Sequence, residues 1–317
     1  MNPLLRYGVP LLLTAAVGAQ RLPLPDGSDR IVQLFDLQRL QSDKPATPAN
    51  AVPMPGFRRE AVDEKPTLGV ADVIARFLEP PLGNDDALTQ LGTRWLALLG
   101  SPRQAASAER LFDLATKRRE QPIDVTIVLW TVPDELFRKH VQERLTAATR
   151  GNQVAYEAVL GKPAAGELER SLEKASAEQL HAPGISVFPL QPAMMSVVNQ
   201  TSYVKDFAVT RVGDRMIADP IIDIVWDGVR SEVVATFLPE GAIGLACDFT
   251  VQELERPIAE FKTTIGIDTP VTVQLPSTST TRLQQTAVLT DGAMVALASR
   301  RVDGSWILAT VRAVSDR

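Results

Sequence analysis

From Gly184 to the C-terminus the chain is a succession of apolar runs, each too short for a helix and each bounded by turn residues. Ile185, Val187 and Phe188 open the series. Ser196–Val204, a run from Ile221 to Val229, Glu232–Phe237, Ile243–Phe249, Val271–Leu275, Arg282–Thr290, Met294–Ala298 and Trp306–Val314 continue it. Runs of this kind read as strands, so this half is organised around a β-sheet. Pro183-Gly184 sets a turn before the first run. Pro189 and Pro192 cannot donate to a ladder, which puts that run at an edge or a bulge. Asp219-Pro220 reads as a turn and Asp227-Gly228 as a break, leaving only a short link between Tyr203 and Gly228. Asp291-Gly292 and Asp303-Gly304 separate apolar runs in the manner of hairpin turns.

The N-terminal half has a different texture. Ile31–Leu37 reads as a strand, and residues 41–67, rich in Pro, Ala and charge, read as a long loop. Val70, Val73, Ile74, Phe77 and Leu78 recur at helical spacing until Pro80-Pro81. Trp95–Leu99 is a strand ending at Gly100. Ser101, Pro102 and Gln104 then form a capping box with proline at the first helical position. The helix they open carries Ala105, Ala108, Leu111, Phe112 and Ala115 on one face and ends near Arg118-Arg119. Ile123, Val125, Ile127 and Leu129 alternate as a strand does. Strand, helix, strand, helix, strand predicts a small α+β module with two helices on one face of a short sheet. Two further helices are expected, one from Asp134 with Leu136, Phe137, Val141 and Leu145, the other from Ala164 to Leu180 with Leu168, Leu172 and Ala175.

The fold class expected is therefore α+β. Residues 20–120 form a two-helix α/β module interrupted by the 41–67 loop, and residues 121–317 form a β-rich domain with a helical insert at 134–180.

A net charge of −5 argues against nucleic acid as a partner, because neutralising phosphates needs a basic surface. Arg6, the apolar run Val9–Val17 and the small residues of Val17-Gly18-Ala19 predict a cleaved export signal over residues 1–19. The single cysteine, Cys247, cannot form an internal disulfide and lies on the apolar side of a strand, so it reads as a core residue.

Signals for chemistry are sparse. The two histidines, His140 and His181, have no Cys or His close by in sequence, and no Gly-x-Ser-x-Gly elbow occurs. No catalytic, cofactor-binding or metal-binding residue is assigned, and the chain is read as a non-enzyme without a small-molecule substrate. Met194-Met195, Trp226 and Trp306 read as packing residues, and Ser277–Thr281 as an exposed strand or loop.

Taken in order, several segments resemble the secretin family, the ring-forming outer-membrane channels of type II and type III secretion systems and type IV pili. Val32-Gln-Leu-Phe-Asp-Leu resembles the first strand of a secretin ring-building module. Leu98-Leu-Gly-Ser101-Pro102-Arg-Gln resembles the segment before that module's second helix. Ile123-Asp-Val-Thr-Ile-Val-Leu-Trp sits where secretins enter their β-domain. Ala182-Pro183-Gly-Ile-Ser-Val, Asn199-Gln-Thr-Ser-Tyr203-Val, Asp227-Gly228-Val229 and Thr286–Val295 with Asp291-Gly292 follow in the family's order. The resemblance implies an exported, homo-oligomeric envelope protein that partners itself and other secretion-system proteins, with the outer membrane as a further partner. Two departures stand out. Met294-Val-Ala-Leu-Ala-Ser299 lacks the family's glycine pair and "P-L-L-G" segment, and the short Tyr203–Gly228 link leaves little room for membrane-spanning hairpins. The two readings left open are a secretin-like ring for protein export and a periplasmic scaffold that keeps the fold without a pore. A hydrolase with an unrecognised site is a third.

Overall fold

The computed structural model describes residues 20–23, 29–41, 68–150, 153–175, 177–181, 184–212, 215–265 and 269–315. The expected export signal at 1–19, the loop beyond residue 41 and Pro183 lie outside these residues.

The N-terminal unit contains β1 (Gln20–Pro23), β2 (Ile31–Asp36), α1 (Val70–Phe77), β3 (Ala87–Leu91), β4 (Trp95–Gly100) and α2 (Pro102–Lys117). Its four strands form one antiparallel sheet in the order β1-β2-β4-β3. α2 begins where the capping box places it. Ser101 Oγ accepts from the Gln104 amide at 3.3 Å, and Gln104 Oε1 accepts from the Ser101 amide at 2.6 Å. The predicted apolar face of α2 is fully buried against Phe35, Leu96 and Leu98 of the sheet, with the Phe35 and Phe112 ring centroids 5.4 Å apart. β3 escaped the sequence pattern because its residues are mostly half-buried and mixed in polarity.

The strand expected to close this sheet goes elsewhere. β5 (Ile123–Val132) pairs instead within a second body. That body continues through α3 (Asp134–His140), β6 (Thr146–Arg150), β7 (Gln153–Leu160), α4 (Lys162–Lys174), β8 (Glu178–His181) and β9 (Gly184–Val187). It is completed by β10 (Ala193–Val212), β11 (Arg215–Phe237), β12 (Ile243–Leu254), β13 (Ala259–Ile265), β14 (Thr269–Leu275), β15 (Thr278–Leu289), β16 (Met294–Arg300) and β17 (Trp306–Val314). Two sheets result. One runs β6-β7-β16-β17-β5-β8, with β9 also on β5; the other runs β10-β11-β12-β15.

The two sheets pack face to face. Period-2 alternation sends Ile123, Val125, Ile127 and Leu129 inward to meet Phe237, Leu245, Phe249 and Leu283, and Cys247 is buried among them. The opposite residues of β5, β16 and β17 point outward and are covered by α3 and α4. Phe137 stacks on Trp306 at 3.9 Å, and Leu168 and Leu172 close over Met294 and Leu308. Trp306 is thus a packing residue, as expected. Met195 packs against the core, whereas Met194 is half exposed.

Several local expectations change. Pro133, not Asp134, caps α3, and the Asp134 carboxylate accepts from Trp306 Nε1 at 2.9 Å. The segment 134–180 is only partly helical, because β6 and β7 form a hairpin between its two helices and join the sheet edge. α4 stops at Lys174. Asp303-Gly304 does close a hairpin, between β16 and β17. Asp291-Gly292 does not: β15 and β16 lie in opposite sheets, and the turn carries the chain across the sandwich.

The N-terminal unit docks on the outer face of the second sheet. Val234 and Ala246 join the core formed by α1 and α2, and Phe77 lies against Gly244, where a Cβ would sit 2.8 Å from the ring. The Leu68 amide donates to Glu232 Oε1 at 2.8 Å, Arg76 Nη1 bonds Thr286 Oγ1 at 2.7 Å, and the Arg118 guanidinium lies 4.7 Å from the Phe237 ring centroid. The layers therefore run helices, sheet, sheet, helices, sheet. The fold is α+β, and the distal parts of β10 and β11 project beyond these layers.

Candidate functional site: a projecting amphipathic hairpin

β10 and β11 pair continuously from Ala193↔Val233 to Val212↔Arg215. β12 leaves β11 at Gly228↔Gln252, so everything distal to Gly228 extends past the second sheet. The expected short link between Tyr203 and Gly228 is in fact most of a long hairpin. Asp219 and Pro220 do not turn the chain; they pair with Ala208 and Phe207 in mid-strand. Proline is tolerated there because β11 has lost β12 on its other side. At about 3.3 Å per residue, Asn199–Val212 reaches roughly 45 Å.

The two faces of this hairpin differ. One collects Ser202, Val204, Phe207 and Val209 opposite Ile224, Ile222, Pro220 and Ala218. The other collects Thr201, Tyr203, Asp206 and Thr210 opposite Val225, Asp223, Ile221 and Ile217, with Asp219 and Asp227 in the same phase. A bulge at Lys205 produces this sorting, because the register shifts between Val204 and Asp206. Were Lys205 paired in regular alternation, Phe207 and Val209 would point to the polar side. Ile222 and Ile224 are 55% and 54% exposed in the single chain.

The polar face is tied by charge. Lys205 Nζ donates to Asp223 Oδ2 at 2.8 Å, and Tyr203 Oη donates to the same oxygen at 3.5 Å. The Lys205 hydrogen bond, helped by the Ile224 amide, holds the Asp223 carboxyl below its ordinary range; the same bond raises Lys205. A lowered folded pKa stabilises the fold above the unfolded carboxylate value near 3.9 and loses that contribution as pH falls through the folded value. Asp223→Asn is therefore expected to flatten the acid limb of a melting-temperature profile below about pH 4 while leaving the neutral region nearly level. An unchanged acid limb would show that the pair does not form.

A second, shorter hairpin accompanies the first. β13 and β14 pair only with each other. Phe261, Val271, Val273 and Leu275 share one face, and Glu260, Lys262, Thr272 and Gln274 the other. Gln274 Oε1 accepts from the Val204 amide at 2.9 Å, which fastens this hairpin to the bulge. Arg256, just before β13, bonds Thr201 Oγ1 at 3.1 Å and faces Asp227 at 3.5 Å.

Gly228 stands where the hairpin leaves the sandwich. Its φ is +135°, and a Cβ there would overlap the Val197 carbonyl oxygen and sit 2.9 Å from Val198 Cα. Only glycine permits that approach. Of the positions singled out in the sequence, the structure brings Tyr203 and Gly228 onto this one hairpin. Ser101 and Pro102 begin α2 in the N-terminal unit, and Asp291 and Gly292 form the crossover turn beside Lys162. The sequence places Ile222, Ile224 and Gln274 in strand runs but does not reveal their place on this hairpin, and it gives Lys205 no role, since these depend on the bulge and on partners far along the chain.

Among the described residues no group of three or more His, Cys, Asp or Glu side chains is placed to hold a metal ion, and no helix is long and apolar enough to cross a membrane; strands are a separate matter.

An α+β chain with a β-sandwich and a projecting amphipathic hairpin is the class defined by these features. No protein-family model and no curated protein sequence matches it. Among solved structures it is similar to the type IV competence pilus secretin PilQ of V. cholerae, at 12% identity over 78% of this chain and 75% of that one, with a TM-score of 0.28. It is also similar to the secretin-domain β-barrel of InvG from the Salmonella SPI-1 injectisome, at 13% identity over 95% and 85% of the two chains, with a TM-score of 0.28. Both similarities are loose, and the functional reading rests on the chain's own geometry.

Proposed function

We propose that this chain is an exported, secretin-like envelope protein that assembles into homo-oligomeric rings, with the β10–β11 hairpin placed in the outer membrane. The observation that carries the reading is the phase-corrected amphipathic hairpin. A membrane strand needs about 9–11 tilted residues with an apolar outer face. The hairpin has that length, and Val204, Phe207 and Val209 with Ile222 and Ile224 give it one largely apolar face, while the other gathers Tyr203, Asp206, Asp219 and Asp223 beside Ile217, Ile221 and Val225. Trp226 adds to this. It lies at the base of the apolar face with the Arg230 guanidinium 4.1 Å from its ring centroid, the side-chain chemistry favoured at a membrane–water interface.

The second sheet offers its outer strands β10 and β15 as edges, so a copy could join its neighbour edge to edge in a closed heterologous ring. The order of secretin-like segments from Val32 to Val295 supports the same assignment. The partners that follow are the chain itself, other secretion-system proteins and the outer membrane, with neither nucleic acid nor a small-molecule substrate. The poreless scaffold keeps one support, the direct passage from Ser299 to β17 with no "P-L-L-G" segment between.

Mass photometry of protein extracted from native envelopes in mild detergent tests the assembly. Particles at roughly ten or more subunit masses are expected for a closed ring, and these should conduct in planar bilayers. A monomer or dimer in the soluble fraction would sink the ring.

A further inference from the structure

Phe188–Gln191 is a β-turn closed by the Gln191 amide on the Phe188 carbonyl at 3.0 Å, with Pro189 second and Leu190 third. Leu190 has φ +60°. The third position of such a turn favours glycine or asparagine, because a side chain there crowds its own backbone. A bulky leucine in this conformation persists only where its surroundings over-determine it.

The surroundings explain the choice. The Leu190 amide donates to the Ala235 carbonyl at 2.8 Å, fixing the turn to β11. Its side chain is 1% exposed and enters the core of the other body, with Leu40, Ile74, Phe112, Val234 and Ala246. Gln191 Nε2 bonds the Leu40 carbonyl at 2.8 Å. The turn's backbone thus belongs to the sandwich, its side chains grip the N-terminal unit, and β10 starts three residues after Leu190.

We propose that this turn is a latch. It holds the N-terminal unit on the second sheet and couples that unit to β10, so that force on the unit reaches the first strand of the projecting hairpin. Burial of Leu190 offsets its backbone strain only while the unit is docked. The device operates within one chain and stands whether or not rings form.

Amide hydrogen exchange on the full chain tests it, with Leu190→Ala and Leu190→Gly. Both variants should speed exchange of the Val70–Phe77 and Ala193–Val198 amides roughly 10- to 100-fold, with β16 and β17 unchanged. Leu190→Gly should also melt above Leu190→Ala, the reverse of the usual order, because glycine has no penalty at φ +60°. Unchanged exchange in Val70–Phe77 or in Ala193–Val198, or alanine melting above glycine, would overturn the latch. If the Leu190 variants do not fold, Gly244→Val decides by wedging against Phe77 from β12. Faster exchange in α1 and early β10 with β16–β17 still protected supports separable docking; loss of protection everywhere at once means the two bodies share one indivisible core and refutes it.

Discussion

Gly228→Val is expected to cost about 3–5 kcal/mol in urea unfolding. Two penalties add. A β-branched residue is strained at φ +135°, and its Cβ must displace the Val197 carbonyl, which is backbone and cannot rotate away as a side chain would. Relief requires opening the β10–β11 ladder between Val197↔Val229 and Asn199↔Asp227, where the hairpin departs from the sandwich. Gly166→Ala in α4 is the control. A Cβ there meets nothing within 4 Å, and alanine should raise stability by roughly 0.5–1 kcal/mol. A loss below about 1 kcal/mol for Gly228→Val would mean that β10 does not approach β11 so closely.

Charge on the apolar face of the hairpin should act on the membrane rather than on the fold. Ile222 and Ile224 are exposed in the single chain, so Ile222→Arg with Ile224→Arg should shift unfolding by no more than about 0.5 kcal/mol per site. At a lipid-facing site near mid-bilayer, each arginine costs roughly 2–4 kcal/mol, so the pair should cut partitioning into vesicles by about 10³-fold or more. Thr210→Arg, on the polar face, should leave partitioning nearly unchanged. Flotation with lipid vesicles measures both. Equal partitioning of the two variants would show that this face does not meet lipid, and the scaffold reading would then stand in its place.

Much of the fold was legible because local physics repeats along the chain. The alternation of Ile123, Val125, Ile127 and Leu129 announces a strand wherever its partners lie. Ser101, Pro102 and Gln104 announce the start of α2, since a capping box is closed by residues three apart. What failed depends on partners. β3, β6 and β7 carry too few buried apolar residues to show a period, and they are strands because a neighbouring edge was there to receive them. Asp291-Gly292 turns the chain as its residue types require, but whether the next strand pairs with the last or crosses to another sheet is decided by packing.

The candidate site shows the same division more sharply. Its residues are all present in the sequence, yet Asp219-Pro220 and Asp227-Gly228 carry the signature of turns, and the apolar phase is broken at Lys205. Strand phase has a period of two, so one inserted residue hides an amphipathic strand until its partner is known. The α+β class, the capped start of α2 and the Cys247 core strand could be read from the residues alone, because each follows from residues close together in the chain. The tertiary structure alone decided the length and sidedness of the β10–β11 hairpin, the docking of the N-terminal unit and the left-handed Leu190. Each of these exists only through contacts made across long stretches of sequence, and no local preference encodes them.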